Sequence, residues 1–168
     1  MACEITDGTW QAAYAAAQSA ATAAQMVAEG SACVYALCRP PGHHAGSDRA
    51  MGFCYLNNAA VAAEELRKRF DRVAILDVDV HHGNGTQEIF WSDPSVLYAS
   101  LHEMPLFPGT GAASERGEHG TIVNAPLRAG DGSDVFRDAY ENAVLPRIAA
   151  FRPDLVIISA GFDAHWRD

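Results

Sequence analysis

The chain has 168 residues, 49% of them hydrophobic and 20% charged, a composition that allows one buried core and leaves no room for two. Its formal net charge of −9 disfavours sequence-independent nucleic-acid binding, in which Lys and Arg neutralise phosphates. No stretch is long and apolar enough to span a bilayer, and the N-terminus lacks a basic n-region, so neither a membrane nor secretion is expected and a cytoplasmic location is. The cysteines form no C-x-x-C pair, and Cys33, Cys38 and Cys54 lie in apolar or motif-dense stretches where a reduced, buried thiol is expected.

In chain order, the alanine-rich residues 8–29 predict a helix closed by Gly30. Cys33–Cys38 is a short apolar run cut off by Arg39-Pro40-Pro41-Gly42, the profile of a buried strand entering a loop. A helix over about 56–69 follows, then a buried strand at Val73–Leu76 and a short helix over 86–91. Val96–Leu101 predicts a third strand, residues 102–119 a Pro/Gly-rich loop, and Thr121–Asn124 a fourth strand. Residues 133–151 predict a helix despite Pro146, and Leu155–Ala160 a last, nearly continuous apolar strand. Strands apolar on both faces and alternating with helices imply an α/β fold with three layers, a mostly parallel sheet carrying helices on both faces.

Ligands in such sheets bind beyond the carboxyl ends of the strands. The polar clusters follow that rule, since residues 39–46, 77–84, 100–111 and 161–168 each come directly after or at the end of a predicted strand. In an extended segment Asp77, Asp79 and His81 project to one face while Val78 and Val80 pack behind them. Taken alone, that segment reads equally well as part of a metal site or as a polar strand end that caps a helix. Asp163, just past the last strand, supplies a third ligand from a second strand and leaves open positions, as a catalytic zinc requires. The adjacent His43 and His44 need partners for their ring nitrogens. Beside a metal they could divide proton acceptance from proton donation. Asp77 and Asn84 are candidate partners, a carboxylate raising the pKa of one imidazole and an amide leaving the other nearer neutral.

Arg39-Pro-Pro-Gly-His43-His44-Ala, Met51-Gly-Phe-Cys-Tyr-Leu-Asn57-Asn58, Asp77-Val-Asp-Val-His-His-Gly-Asn-Gly-Thr-Gln87, Phe107-Pro-Gly-Thr-Gly111 and Ala160-Gly-Phe-Asp-Ala164 together resemble the histone deacetylase and acetylpolyamine amidohydrolase family, in its class II-like, bacterial type. The motifs run through nearly the whole chain in the family's order. The resemblance implies an arginase-like α/β fold and zinc-dependent hydrolysis of an acetyl-amide on a cationic amine, either acetyl-lysine or an acetylpolyamine. It implies Asp79, His81 and Asp163 as zinc ligands and His43 and His44 as the catalytic pair that activates a water at the metal, with His44 as general base and His43 held by Asp77. Asn84 matches the class II-like branch. Phe53 and Phe107 resemble the aromatic walls of a narrow substrate tunnel, with Gly52 and Gly161 beside it. The backbones of Asp77, Asp79, His81 and Leu101, with the side chains of Asp77 and Ser100, resemble a buried monovalent-cation site, expected to take K+.

The same resemblance predicts that residues 1–168 are a single, partial catalytic domain, incomplete at both ends. The family's first strand and its catalytic Tyr, in a Gly-rich loop, have no counterpart here, and Tyr14, Tyr35, Tyr55, Tyr98 and Tyr140 fall in core-like or helical contexts. These residues alone are therefore expected to be inactive. Two rival readings stand beside this one. A non-catalytic or truncated deacetylase-like protein would bind ligand without turnover. An arginase-like ureohydrolase would need a two-metal cluster, whereas the order Asp-x-Asp-x-His followed by a single acid at 163 serves one metal. Oligomeric state is not readable from these residues.

Overall fold

The computed structural model describes residues 3–168. Four strands, β1 (Val73–Asp77), β2 (Val96–Glu103), β3 (Ile122–Leu127) and β4 (Leu155–Ser159), form a sheet of order β3-β2-β1-β4 in which every neighbouring pair is parallel. The register places Asp77 of β1 opposite Ser100 of β2 and Ser159 of β4, so β1 and β4 end level with each other while β2 runs on to Glu103. Pro126, which has no N–H for a ladder, is accommodated because β3 is an edge strand.

Side chains alternate across the sheet and separate two cores. Val73, Ile75, Val96, Tyr98 and Ile122 face one way, against Ala20 and Ala24 of α1 (Thr9–Ala28), Ala60, Ala63 and Leu66 of α2 (Asn58–Leu66), and Phe90 after α3 (Asn84–Ile89). Ala74, Leu76, Leu97, Ala99, Leu101 and Val123 face the other way, against Val144 and Ile148. Helices therefore cover both faces, as the α/β reading expects. The alanine stripe of α1 (Ala13, Ala16, Ala17, Ala20 and Ala24) is buried, and its small side chains let α1 lie close on α2. Among the described residues, no helix is long and apolar enough to cross a membrane.

The helix predicted over 133–151 is present but not uniform. It consists of α4 (Ser133–Ala139), a π-helical turn (Tyr140–Val144) and α5 (Leu145–Phe151). Pro146 cannot donate to the carbonyl four residues earlier and its ring crowds that carbonyl, so a widened turn just before it relieves the conflict without breaking the helix.

Two expectations are corrected. Cys33–Cys38 is not a strand: it runs without regular structure, with Tyr35 and Leu37 68% and 83% exposed and Val34, Ala36 and Cys38 half-buried. Its apolar composition matches a strand's, but among the described residues no strand pairs with it. Cys33 is accordingly exposed and Cys38 only half-buried, while Cys54 is buried as expected. The last strand ends at Ser159 and is half-buried rather than enclosed, because Leu155 and Ile157 pack on the α1–α3 side while Val156 and Ile158 are exposed on the opposite face.

Candidate active site

The loops beyond the carboxyl ends of β1, β2 and β4, with the loop 39–46, meet at one edge. Asp77 closes β1 and is fully buried. The backbone then bends through 79–81, which corrects the picture of one extended face shared by Asp77, Asp79 and His81. Asp77 turns inward and uses both carboxylate oxygens: Oδ2 accepts from His43 Nδ1 at 3.0 Å and from the Tyr98 hydroxyl at 3.1 Å, and Oδ1 accepts from the Asp79 N–H at 3.2 Å. The bend sends Asp79 and His81 toward Asp163 in the turn after β4. Ligating atoms of these three residues all lie within 4.8 Å of one another. His81 Nδ1 is 2.9 Å from Asp163 Oδ2 and 3.2 Å from Asp79 Oδ1, and the Val80 N–H donates to Asp163 Oδ1 at 3.2 Å.

This donor set fits a divalent cation. Two carboxylates and one imidazole present nitrogen and oxygen ligands, and their two negative charges match the charge of one such ion. Burial, opposed by His43 and the His81 N–H but reinforced by Asp163 and Asp77, holds the Asp79 carboxyl above its ordinary pKa. A cation between the side chains removes that cost. Gly161 leaves the room: a Cβ there would lie 2.1 Å from Asp79 Oδ2.

His43 and His44 lie beside this cluster with ring centroids 4.0 Å apart and their planes tilted by 46°. Their partners differ, and their proton affinities are pushed in opposite directions. Burial works against a charged His43, but the charge and hydrogen bond of Asp77, with Asp79 and Asp163 adding, outweigh it and raise its pKa. His44 is pushed down to about 4, by burial first and then by His43. Asn84 presents its side-chain oxygen to His44 Nδ1 at 2.8 Å and its amide nitrogen to Met51 Sδ at 3.3 Å. An amide oxygen can only accept, so Nδ1 of His44 carries the hydrogen and Nε2 is left as a free base. The pair thus holds one imidazole favouring the proton and one lacking it.

Phe107 meets the edge of His44 at a centroid distance of 5.0 Å and that of His81 at 6.3 Å. Gly52, at φ +57°, faces both groups, since a Cβ there would lie 2.5 Å from His44 Cδ2 and 3.0 Å from Phe107 Cε1. Phe53 is 57% exposed and left-handed at φ 63°, a backbone state that costs a non-glycine residue. Ser100 and Leu101 are buried beside Asp77 in β2, with the Ser100 hydroxyl 2.9 Å from His102 Nδ1.

Several participants escape sequence reasoning. Tyr98 reads as core and is indeed buried, yet its hydroxyl supports Asp77; its place two residues before Ser100, on the same strand face, is the available signal. Gly83 is needed because a Cβ there would lie 2.3 Å from Asp77 Oδ2. Asn57 donates from Nδ2 to the Ala45 carbonyl and to Thr86 Oγ1, both at 3.0 Å, tying the histidine loop to α3.

The carboxyl edge of this parallel α/β sheet thus brings together three residues that could hold one cation and, beside them, two histidines with different partners. The family model for the histone deacetylase domain matches residues 1–168, and the chain belongs to that family. The chain is 48% identical to an acetylpolyamine amidohydrolase of Burkholderia pseudomallei (strain 1710b), over 99% of this chain and 50% of the relative. It is 45% identical to a probable deacetylase of Archaeoglobus fulgidus, over 98% of this chain and 47% of the relative. The crystal structure of an acetylpolyamine aminohydrolase from Burkholderia pseudomallei superposes with a TM-score of 0.94 at 47% identity, covering 97% of this chain and 49% of that one. The chain therefore spans about half the length of the curated relatives it matches.

Proposed function

We propose that the protein carrying this chain hydrolyses acetyl-amides of cationic amines, acetyl-lysine or acetylpolyamines, at a single zinc site formed by Asp79, His81 and Asp163. The observation that carries this reading is the conjunction of that cluster with two adjacent histidines whose proton affinities are pushed in opposite directions. A zinc ion there supplies Lewis acidity toward the acetyl carbonyl and toward water. His44 Nε2, unprotonated and fixed by Asn84, accepts the proton of the attacking water. His43, held by Asp77 and favouring its charged form, balances negative charge as it develops and hands a proton to the leaving amine. Phe107 lines the approach with Gly52, and we assign Phe53 to its rim and Gly161 to its floor. The net charge of −9 suits a cationic substrate. A K+ ion near Asp77, Ser100 and the backbone of Leu101 belongs to the same proposal, as the deeper of two cations.

The names of the relatives favour a small acetylated polyamine, and the acetyl-lysine side chain presents the same acyl-amine chemistry. We assign oxyanion stabilisation to none of the tyrosines of residues 1–168. Tyr98 serves Asp77, Tyr55 donates to the Glu4 carbonyl, Tyr14 accepts from Gln18, Tyr140 packs in the opposite core, and Tyr35 is exposed. Residues 1–168 alone are thus expected to be poorly folded and to show no appreciable turnover.

The test is hydrolysis of a fluorogenic acetyl-lysine amide and of an N-acetylated diamine by the zinc-loaded full gene product. Turnover that a chelator abolishes and added zinc restores is expected. A zinc-loaded protein that binds these amines and hydrolyses none of them is the non-catalytic alternative.

A further inference from the structure

The loop after β2 carries Phe107, and a buried polar network fixes the far end of that loop. Gly111, at φ +93°, passes between two imidazoles so closely that a Cβ would lie 2.4 Å from His102 Nε2 and 2.6 Å from His82 Cγ. His102 Nε2–H donates to the Gly111 carbonyl at 3.0 Å. His82 Nε2 is 3.0 Å from Gln87 Oε1, which also accepts from Asn124 Nδ2 at 2.7 Å. An amide oxygen only accepts, so His82 Nε2 carries the hydrogen and Nδ1 accepts from the Thr110 hydroxyl at 2.8 Å. Gln87 then turns its own Nε2 to Glu115 Oε2 at 2.6 Å.

Glu115 closes the circuit. Its oxygens accept the Gly111 N–H at 3.3 and 3.2 Å and the Ala112 N–H at 3.2 Å, in addition to the Gln87 amide. One half-buried carboxylate therefore gathers donors from both the Phe107 loop and α3, the helix whose first residue, Asn84, holds His44.

We propose that Glu115 is a positioning residue: by tying Gly111 and Ala112 to Gln87 it sets the loop that presents Phe107 to the His44 and His81 rings, and so governs how tightly the chain of an acetylated amine is gripped. The kinetic part of this proposal rests on the function proposed above. Glu115 touches neither the cation cluster nor the histidine pair, so its effect falls on substrate binding rather than on metal retention.

Glu115→Gln in the full gene product is the informative change. A glutamine has one oxygen where the carboxylate has two, and its NH2 is left facing N–H donors of Gln87 or Gly111. The expected result is a KM for the fluorogenic acetyl-lysine amide raised about tenfold, with kcat within about threefold and zinc content unchanged. Introduced into Phe107→Ala, the same substitution is expected to change KM by less than about twofold, because its effect runs through that ring. A KM unchanged in the single variant, or an equal increase in both backgrounds, overturns the proposal. Hydrogen exchange provides a reading that needs no substrate: the Gly111 and Ala112 amides lose protection in Glu115→Gln, and unaltered protection overturns the clamp. Should Glu115→Gln unfold, Glu115→Asp, which keeps the charge and shortens the reach, carries the same comparisons. Absence of hydrolysis by the wild-type protein overturns the functional reading, while the exchange measurement still decides the clamp.

Discussion

His43 and His44 are chemically identical neighbours, and everything that separates them comes from what each nitrogen meets. Asp77 is a buried carboxylate with three donors on it, and its charge favours a protonated His43. Asn84 offers only a neutral oxygen, too little to offset burial and then His43, which push His44 down to about 4. If His44 is the base, His44→Ala lowers kcat by about two to four orders of magnitude while zinc remains bound. Steady-state kinetics with metal analysis on the same sample checks this, and a loss below about tenfold would transfer the role to His43 or leave it to the water at the metal unaided. The pairing of these histidines with a carboxylate and an amide is legible in the sequence, because both partners sit in the same Asp77–Gln87 motif. Tyr98 and Glu115 are not legible. One reads as core, and the other lies in a Pro/Gly-rich loop with no periodicity to say which way a side chain points.

At the scale of elements, α2 shows how one residue can serve fold and site together. Asn57 precedes the helix in an extended conformation and its Oδ1 accepts the Ala60 N–H at 3.0 Å, a side-chain N-cap. Its Nδ2 reaches the Ala45 carbonyl and Thr86 Oγ1, joining the loop of the histidine pair to α3. Asn57→Ala removes the cap, worth about 1 kcal/mol, and also strands a buried carbonyl, for about 1–3 kcal/mol more. Thermal unfolding of the full gene product should show a lowered Tm with zinc content intact, and an unchanged Tm would contradict the role of the cap. The predicted elements that hold are those whose signal is a physical necessity: alanine-rich helices and strands apolar on both faces. Cys33–Cys38 misleads because apolar composition reports a tendency to be buried, whereas a strand also needs a hydrogen-bonding neighbour. Pro146 shows a third case, in which the sequence marks the conflict and only the packing of Val144 and Ile148 reveals that a π-helical turn resolves it.

At the scale of the molecule, the parallel sheet delivers groups distant in sequence to one edge. Asp163 reaches Val80, 83 residues earlier, and His43 reaches Asp77 across 34. That convergence is foreseeable, since each ligand follows or closes a predicted strand, but its geometry is not. The bend through 79–81 that separates Asp77's task from that of Asp79 and His81 leaves no periodic trace in the sequence. The central claim is that this convergence builds one catalytic metal site. Its most direct test is the zinc content of the full gene product and of Asp163→Ala after dialysis against zinc-free buffer. The account predicts about one zinc per chain in the wild type and almost none in the variant, as a three-ligand site that loses one ligand should show. Two equivalents per chain, or a zinc content unchanged in Asp163→Ala, would contradict it.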